Sequence, residues 1–188
     1  MLSSQNSDFR KALEKELKQY HSEYPIELGF RDRMLDLLDY DNCFERSLLH
    51  AHFTASAWLV NESLDKALFT HHAKLNKWLQ LGGHSDGNEN LREVALNESY
   101  EESGLREISF LSRRIFDLDI HTIPARKEVP EHEHFDVRFI LQASEQDILV
   151  ISEESHDIAW ISFDNIVRKT QENESIKRMM NKTIQIRL

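Results

Sequence analysis

Residues 82–105 read GGHSDGNENLREVALNESYEESGL, and this stretch decides how the rest of the chain is to be taken. Two glycines close an apolar run, Trp78-Leu79-Gln80-Leu81, that has the character of a strand end. A helix follows, with Asn88 or Asn90 as its N-cap and Gly104 as its C-terminal stop. Within that helix Glu98, Glu101 and Glu102 sit at spacings of three and four residues, so their carboxylates share one face. Like charges so placed destabilise an isolated helix. On its own such a turn is most simply a solvated acidic face. Its place after a strand and a glycine-rich loop points instead to a hard divalent cation, Mg²⁺, Mn²⁺ or Ca²⁺, held by oxygen ligands.

The segment resembles the Nudix hydrolase (MutT-like) family, whose box is G-x5-E-x7-R-E-U-x-E-E-x-G-U, with U aliphatic. Gly83, Glu89, Glu98, Glu101, Glu102, Gly104 and Leu105 match, seven of the nine fixed positions. Asn97 stands in place of the arginine, and Ser99 in place of the first aliphatic residue. The resemblance implies a metal-dependent hydrolase that cleaves the diphosphate linkage of a nucleoside diphosphate joined to another moiety. It implies Mg²⁺ or Mn²⁺ as cofactor. Glu98 and Glu102 would be direct ligands, Glu101 a direct or water-mediated one, and the Gly82 backbone carbonyl a further contact. The general base varies within the family; Glu101 or Glu102 in the box, and Glu153 or Glu154 before Trp160, are the candidates. The resemblance implies an arginine that braces the box glutamates, including the one matching Glu89; with Asn97 there, either another cation, Arg92 or Lys77, substitutes, or the box is less rigid and turnover lower. Ser99 lies one turn after Ala95, where its hydroxyl can bond back to that carbonyl.

Composition bounds the class. The chain has 188 residues, 40% hydrophobic, with five glycines and three prolines, which suits one folded domain with a real core. Its 23 basic and 33 acidic side chains give a net charge of −10, which disfavours nonspecific nucleic-acid binding. No apolar run is long enough to span a bilayer, and the charged N-terminus has no signal-peptide core. Cys43 is the single cysteine, so neither an intrachain disulfide nor a cysteine zinc site is available. These features predict a cytoplasmic protein with a small-molecule partner and no membrane partner.

Outward from the box, residues 1–48 carry two apolar stripes at helical spacing: Phe9, Leu13, Leu17 and Tyr20, then Phe30, Met34, Leu37 and Leu38 after the break at Tyr24-Pro25. They predict a helical N-terminal extension that docks on the main body or on a second subunit of a homodimer. Residues 49–188 form the expected Nudix domain. In it Phe53, Ala55, Ala57 and Leu59 share one face of a strand, while His52, Thr54, Ser56 and Trp58 share the other. Lys66 to Thr70 reads as the returning strand, Ile108 to Ile123 as one or two strands, and His134 to Gln142 as another. Pro124 to Pro130 reads as a charged loop, Ala159 to Ile161 as a strand, and helices are expected through Arg168 and from near Ser175. The order predicts an α+β fold, a Nudix-type α/β/α sandwich around a mixed central sheet.

Ten histidines raise the question of a transition metal. Adjacent His71 and His72 point to opposite faces of a strand and chelate poorly; His132 and His134 share a face and can chelate or line a substrate pocket with Arg138. His84, directly after the glycines, is a further substrate-binding candidate. Two other readings stand beside hydrolysis. One is a noncatalytic Nudix-fold module that senses a nucleotide, kept open by Asn97. The other is an isoprenoid diphosphate isomerase, disfavoured because Cys43 lies in the helical extension.

Overall fold

The structure, a computed structural model, describes residues 3–126 and 128–187; Met1 and Leu2 of the expected helical extension, Lys127 of the charged loop, and Leu188 lie outside the described residues. In chain order the elements are α1 (Ser3–Lys18), α2 (Pro25–Leu37), β1 (Ala51–Val60), β2 (Lys66–His72), β3 (Lys77–Leu79), β4 (Leu81–His84), α3 (Leu91–Ser103), β5 (Ser109–Phe110), β6 (Asp117–Ile123), β7 (His132–Gln142), β8 (Ser155–Ser162), α4 (Phe163–Lys169) and α5 (Glu174–Arg187). The strands form one mixed sheet in which β1 is the hub. Along its full length β1 runs parallel to β7, from Ala51↔Glu133 to Val60↔Gln142. Its other edge is divided between β4, paired at residues 54–57, and β2, paired at Val60. β6 and β5 add antiparallel to β7, and β3 and β8 to β2. The expected fold class holds, a mixed sheet with helices on both sides.

Strand alternation assigns the two faces. Phe53, Ala55, Ala57, Leu59, Val137, Phe139 and Leu141 build one core with Leu91, Val94 and Ala95 of α3. Leu13, Leu17, Met34 and Leu37 belong to that same core, so α1 and α2 are packed onto the body. The opposite face carries a second core of Trp58, Phe69 and Ile140 under Ile166, Ile176 and Met179 of α4 and α5. Each large apolar side chain buried this way contributes about 1.5–3 kcal/mol. Cys43 is fully buried, and burial pushes its thiol up to about 11, which suits a small core residue. β7 begins at His132, two residues before the strand expected from periodicity, because its pairing with β6 extends to Ile123↔His132.

Between these cores the second face is polar and buried. Asp117 is fully buried and meets three cations: Arg178 at 2.8 Å, Lys182 at 2.9 Å and Arg138 at 3.2 Å. Burial alone would raise the pKa of its carboxyl; the three cations outweigh that and hold it below the ordinary range. Lys182 also reaches Glu27 of α2 at 2.6 Å, so this network ties the N-terminal helices to α5. Removing one partner of a buried ion pair leaves the other charge stranded. Asp117→Ala is therefore expected to cost about 3–5 kcal/mol in urea unfolding. A loss below about 1 kcal/mol, the scale of a surface pair, would show that the network is not holding these elements.

Candidate active site

The box folds as a strand, a tight loop and a helix because each junction has a local cause. Gly82 has φ +155, and a Cβ there would lie 2.5 Å from the Ser56 Oγ and 2.7 Å from the Ala55 carbonyl oxygen. Only glycine lets β4 approach β1 so closely. A Cβ on Gly83 would lie 2.3 Å from the Glu98 Oε1, so the second glycine makes room for that carboxylate. Asn90 is the N-cap, its side chain accepting from the Glu93 N–H, and Gly104 closes the helix at φ 67 with its N–H on the Tyr100 carbonyl. Ser99 is buried and donates to the Ala95 carbonyl at 2.7 Å, the back-bond its spacing predicts.

Glu102 accepts from the Gly82 N–H at 2.9 Å, which brings the helix carboxylates to the β4 backbone. Burial, then Glu98, Glu154 and Glu101, push Glu102 up to about 7, against the lowering effect of the Gly82 N–H. Glu98 is raised as well, by burial first and then by Glu101, Glu154 and Asp86. Among the described residues none of Glu98, Glu101, Glu102 and Glu154 is in a salt bridge. Glu98 and Glu102, raised by burial and by neighbouring charges and without a salt-bridge partner, form with the exposed Glu101 a hard oxygen donor set, which fits a divalent ion. Glu153 and Glu154 are both exposed in the segment before β8, and Glu154 is among the charges that raise Glu98 and Glu102. Arg46 acts on Glu98 against the other charges and forks onto Asp86 through two 2.6 Å bonds.

Glu89 has a partner that neither sequence candidate supplies. Arg10 of α1 donates from Nε to the Glu89 Oε1 at 3.0 Å, and its Nη2 donates to the Asp41 carbonyl at 2.7 Å. Arg92 turns away, donating to Glu16 and to the Arg113 carbonyl while lying over the Phe139 ring, and Lys77 is exposed. Asn97 is exposed too. The missing box cation thus comes from 79 residues upstream in the chain. The segment after α2 is bound to the same loop: Ser85 donates to the Phe44 and Phe53 carbonyls, and the Gly87 N–H donates to the Phe44 carbonyl.

A family model of the NUDIX domain matches residues 50–182. The chain belongs to the Nudix family. Its fold is similar to that of the MutT protein from Methanosarcina mazei Go1, at TM-score 0.57 and 16% identity over 72% of this chain and 94% of that one. It is similar as well to the E. coli dihydroneopterin triphosphate pyrophosphohydrolase, at 0.55 and 12% over 71% and 95%. The NUDIX domain of Shewanella oneidensis NrtR, complexed with ADP ribose, gives 0.51 and 15% over 79% and 94%. No curated protein matches the chain. Family membership makes the protein a Nudix hydrolase, and no helix among the described residues is long and apolar enough to cross a membrane.

The remaining Nudix candidates lie on the other side of β4. His84 pairs across from Thr54, and its ring is 5.2 Å from His52 and 4.8 Å from His134. His132 and His134 share the face of β7, their ring centroids 5.2 Å apart. Arg138 is buried and engaged with Asp136 at 2.7 Å, Asp119 at 3.0 Å and Asp117 at 3.2 Å. Trp78 stacks on His71, and Trp160 is partly buried against the first core. Arg10 and Arg46 escape sequence reading because both lie outside the box, in segments without a motif.

Two outcomes are expected. Arg10→Ala leaves Glu89, whose Oε2 is already buried without a partner, as an uncompensated charge. It should cost about 3 kcal/mol by denaturant titration, and adding Glu89→Gln should recover most of that; additive losses would refute the pairing. The second concerns pH in chelator. A carboxyl raised on folding binds more protons in the native state, so its stability contribution is present below about 4.5 and lost as pH rises through about 7. The melting temperature of Glu102→Gln relative to wild type should therefore climb between those values, and a flat difference would contradict a raised Glu102.

Proposed function

We propose that this Nudix hydrolase cleaves the diphosphate linkage of a nucleoside diphosphate joined to another moiety, with Mg²⁺ or Mn²⁺ as cofactor. The observation that carries the reading is the carboxylate turn, with Glu102 bonded to the Gly82 N–H, Glu98 against Gly83, and neither in a salt bridge. Glu98 and Glu102 are the proposed direct metal ligands, with Glu101 and the Gly82 carbonyl completing the set. Such ions, when bound, neutralise phosphate charge and acidify a coordinated water. The chain's own residues supply the rest. Glu154 is the candidate general base: it comes from a separate segment, its charge acts on both Glu98 and Glu102, and it can receive the proton of the attacking water. Arg46 places positive charge beside the same cluster, where a phosphate oxygen can be drawn in. His84, on the residue after Gly83, is a proposed substrate contact. Arg138, already committed to three aspartates, is better assigned to positioning Asp136.

Fold neighbours that are a triphosphate pyrophosphohydrolase and a domain complexed with ADP ribose support a nucleotide-like substrate class. The noncatalytic alternative rested on Asn97, and Arg10 now supplies a cation at Glu89. The test is a panel of nucleoside diphosphate derivatives and dinucleotides with Mg²⁺, with Mn²⁺ or with chelator. At least one substrate should turn over only with metal. Glu102→Gln should reduce that rate at least about 100-fold, and Glu154→Gln by about 10²–10⁴-fold with Glu153→Gln near wild type. Rates unchanged by Glu102→Gln would end the assignment.

A further inference from the structure

On the face of the sheet away from α3, imidazoles from four strands meet. His52 lies on β1, directly in register with His134 of β7; His132 is two residues before His134, and His121 of β6 pairs with His134 from the other side. His84 of β4 closes the patch. The ring centroids of His52, His132 and His134 are 5.0–5.2 Å apart in every pairing. One nitrogen from each of these three rings lies within 4.8 Å of those from the other two.

We propose that His52, His132 and His134 form a binding site for a divalent transition-metal ion of the zinc type, chemically separate from the carboxylate turn. His52 is 4% exposed, and its Nε2 is buried with no hydrogen-bond partner; the His134 Nε2 is buried and unpartnered as well. A buried ring nitrogen without a partner has lost its hydrogen bond to water and gained nothing in return, so two such nitrogens side by side point to a ligand between them. The other ring nitrogens fix the tautomers. His52 Nδ1 lies 3.4 Å from the Leu48 carbonyl oxygen and His132 Nδ1 lies 2.9 Å from that of Pro130. A carbonyl only accepts, so each Nδ1 carries the proton and each Nε2 presents a lone pair. Metal-binding imidazoles are oriented by the same second contact.

Two other accounts of the patch are weaker. Hydrogen bonding between the rings does not satisfy these nitrogens, because the Nε2 atoms of His52 and His134 have no partner among the described protein residues. A carboxylate partner accounts for His121, which meets Asp119 at 3.3 Å, but not for the three inner rings. A tetrahedral zinc site with Zn–N near 2.0–2.1 Å needs nitrogens about 3.3–3.4 Å apart, so the three rings need close by roughly an ångström, within the reach of side-chain rotation. An all-imidazole set selects zinc-like ions over Mg²⁺. Three ligands leave a fourth position for water or a substrate oxygen, and the His84 ring, 4.8 Å from that of His134, stands beside it.

The test uses the full chain stripped by chelator and titrated with Zn²⁺ in excess Mg²⁺ by calorimetry, with Co²⁺ as a spectroscopic substitute. One equivalent of Zn²⁺ should bind, and Co²⁺ should give the visible absorption of a four-coordinate nitrogen site. Both should survive Glu98→Gln with Glu102→Gln. Both should weaken at least about 100-fold in His134→Ala and in His132→Phe, which keeps a ring of similar size, because losing a ligand exceeds the 10–100-fold effect of losing an outer contact. Circular dichroism confirms folding of each variant. Absence of Zn²⁺ binding in Mg²⁺ overturns the proposal, as does binding lost with the glutamates and kept without the histidines. Neither result depends on whether the chain hydrolyses any substrate.

Discussion

Two glycines set the distance on which the site depends. Gly82 lets β4 press against β1 at Ser56, and Gly83 leaves the volume into which the Glu98 carboxylate projects. A side chain at Gly82 would drive β4 away from β1, and one at Gly83 would displace the Glu98 carboxylate. The helix cannot hold its acidic turn there by its own stability, since like charges one turn apart work against it. It is held by apolar packing on its other side, where Leu91, Val94 and Ala95 are buried against β1 and β7. The strain of the charges is thus carried by a core that takes no part in the chemistry.

The N-terminal segment completes this arrangement. Arg10 neutralises Glu89 at the start of the box, and the carbonyls of Phe44 and Phe53 fix Ser85 and Gly87 in the loop. A residue in α1 therefore does what the family places inside the box. Such a transfer is cheap in covalent terms and costly in folding terms, because the loop now depends on contacts that close only when α1 and α2 have docked. Glu27 of α2, bonded to Lys182 of α5, anchors that docking from the far side of the sheet.

How much of this was legible in the sequence follows from the range of each interaction. The strand–loop–helix unit, the Ser99 back-bond and the two faces of β1 are set by spacings of two to four residues, so periodicity reveals them. The carboxylate turn was legible for the same reason. Arg10 was not, because the pairing spans 79 residues and Arg10 carries no motif; Arg92, close in sequence, is drawn away by Glu16. The histidines show the intermediate case. That His132 and His134 share a face is a matter of alternation, but their meeting with His52 depends on the parallel register of β1 on β7, which sequence spacing does not encode. Arg138 looked available for substrate because Asp117 and Asp119, its partners, lie on a different strand.

Alternation along β4 then separates two chemistries by a single residue. Gly83 pairs with Ala55 on the face of α3 and its carboxylates, and His84 pairs with Thr54 on the face of the imidazoles. Oxygen donors on one side suit a hard ion that exchanges with substrate phosphates; nitrogen donors on the other suit an ion that stays. Were imidazole mixed into the carboxylate site, that site would turn toward a zinc-like ion, since nitrogen ligands suit zinc and an all-oxygen set suits Mg²⁺. Placing them back to back across a strand gives each ion its own ligands while keeping both beside the same backbone. The close approach made possible by Gly82 and Gly83 is what makes a strand one residue thick a sufficient partition.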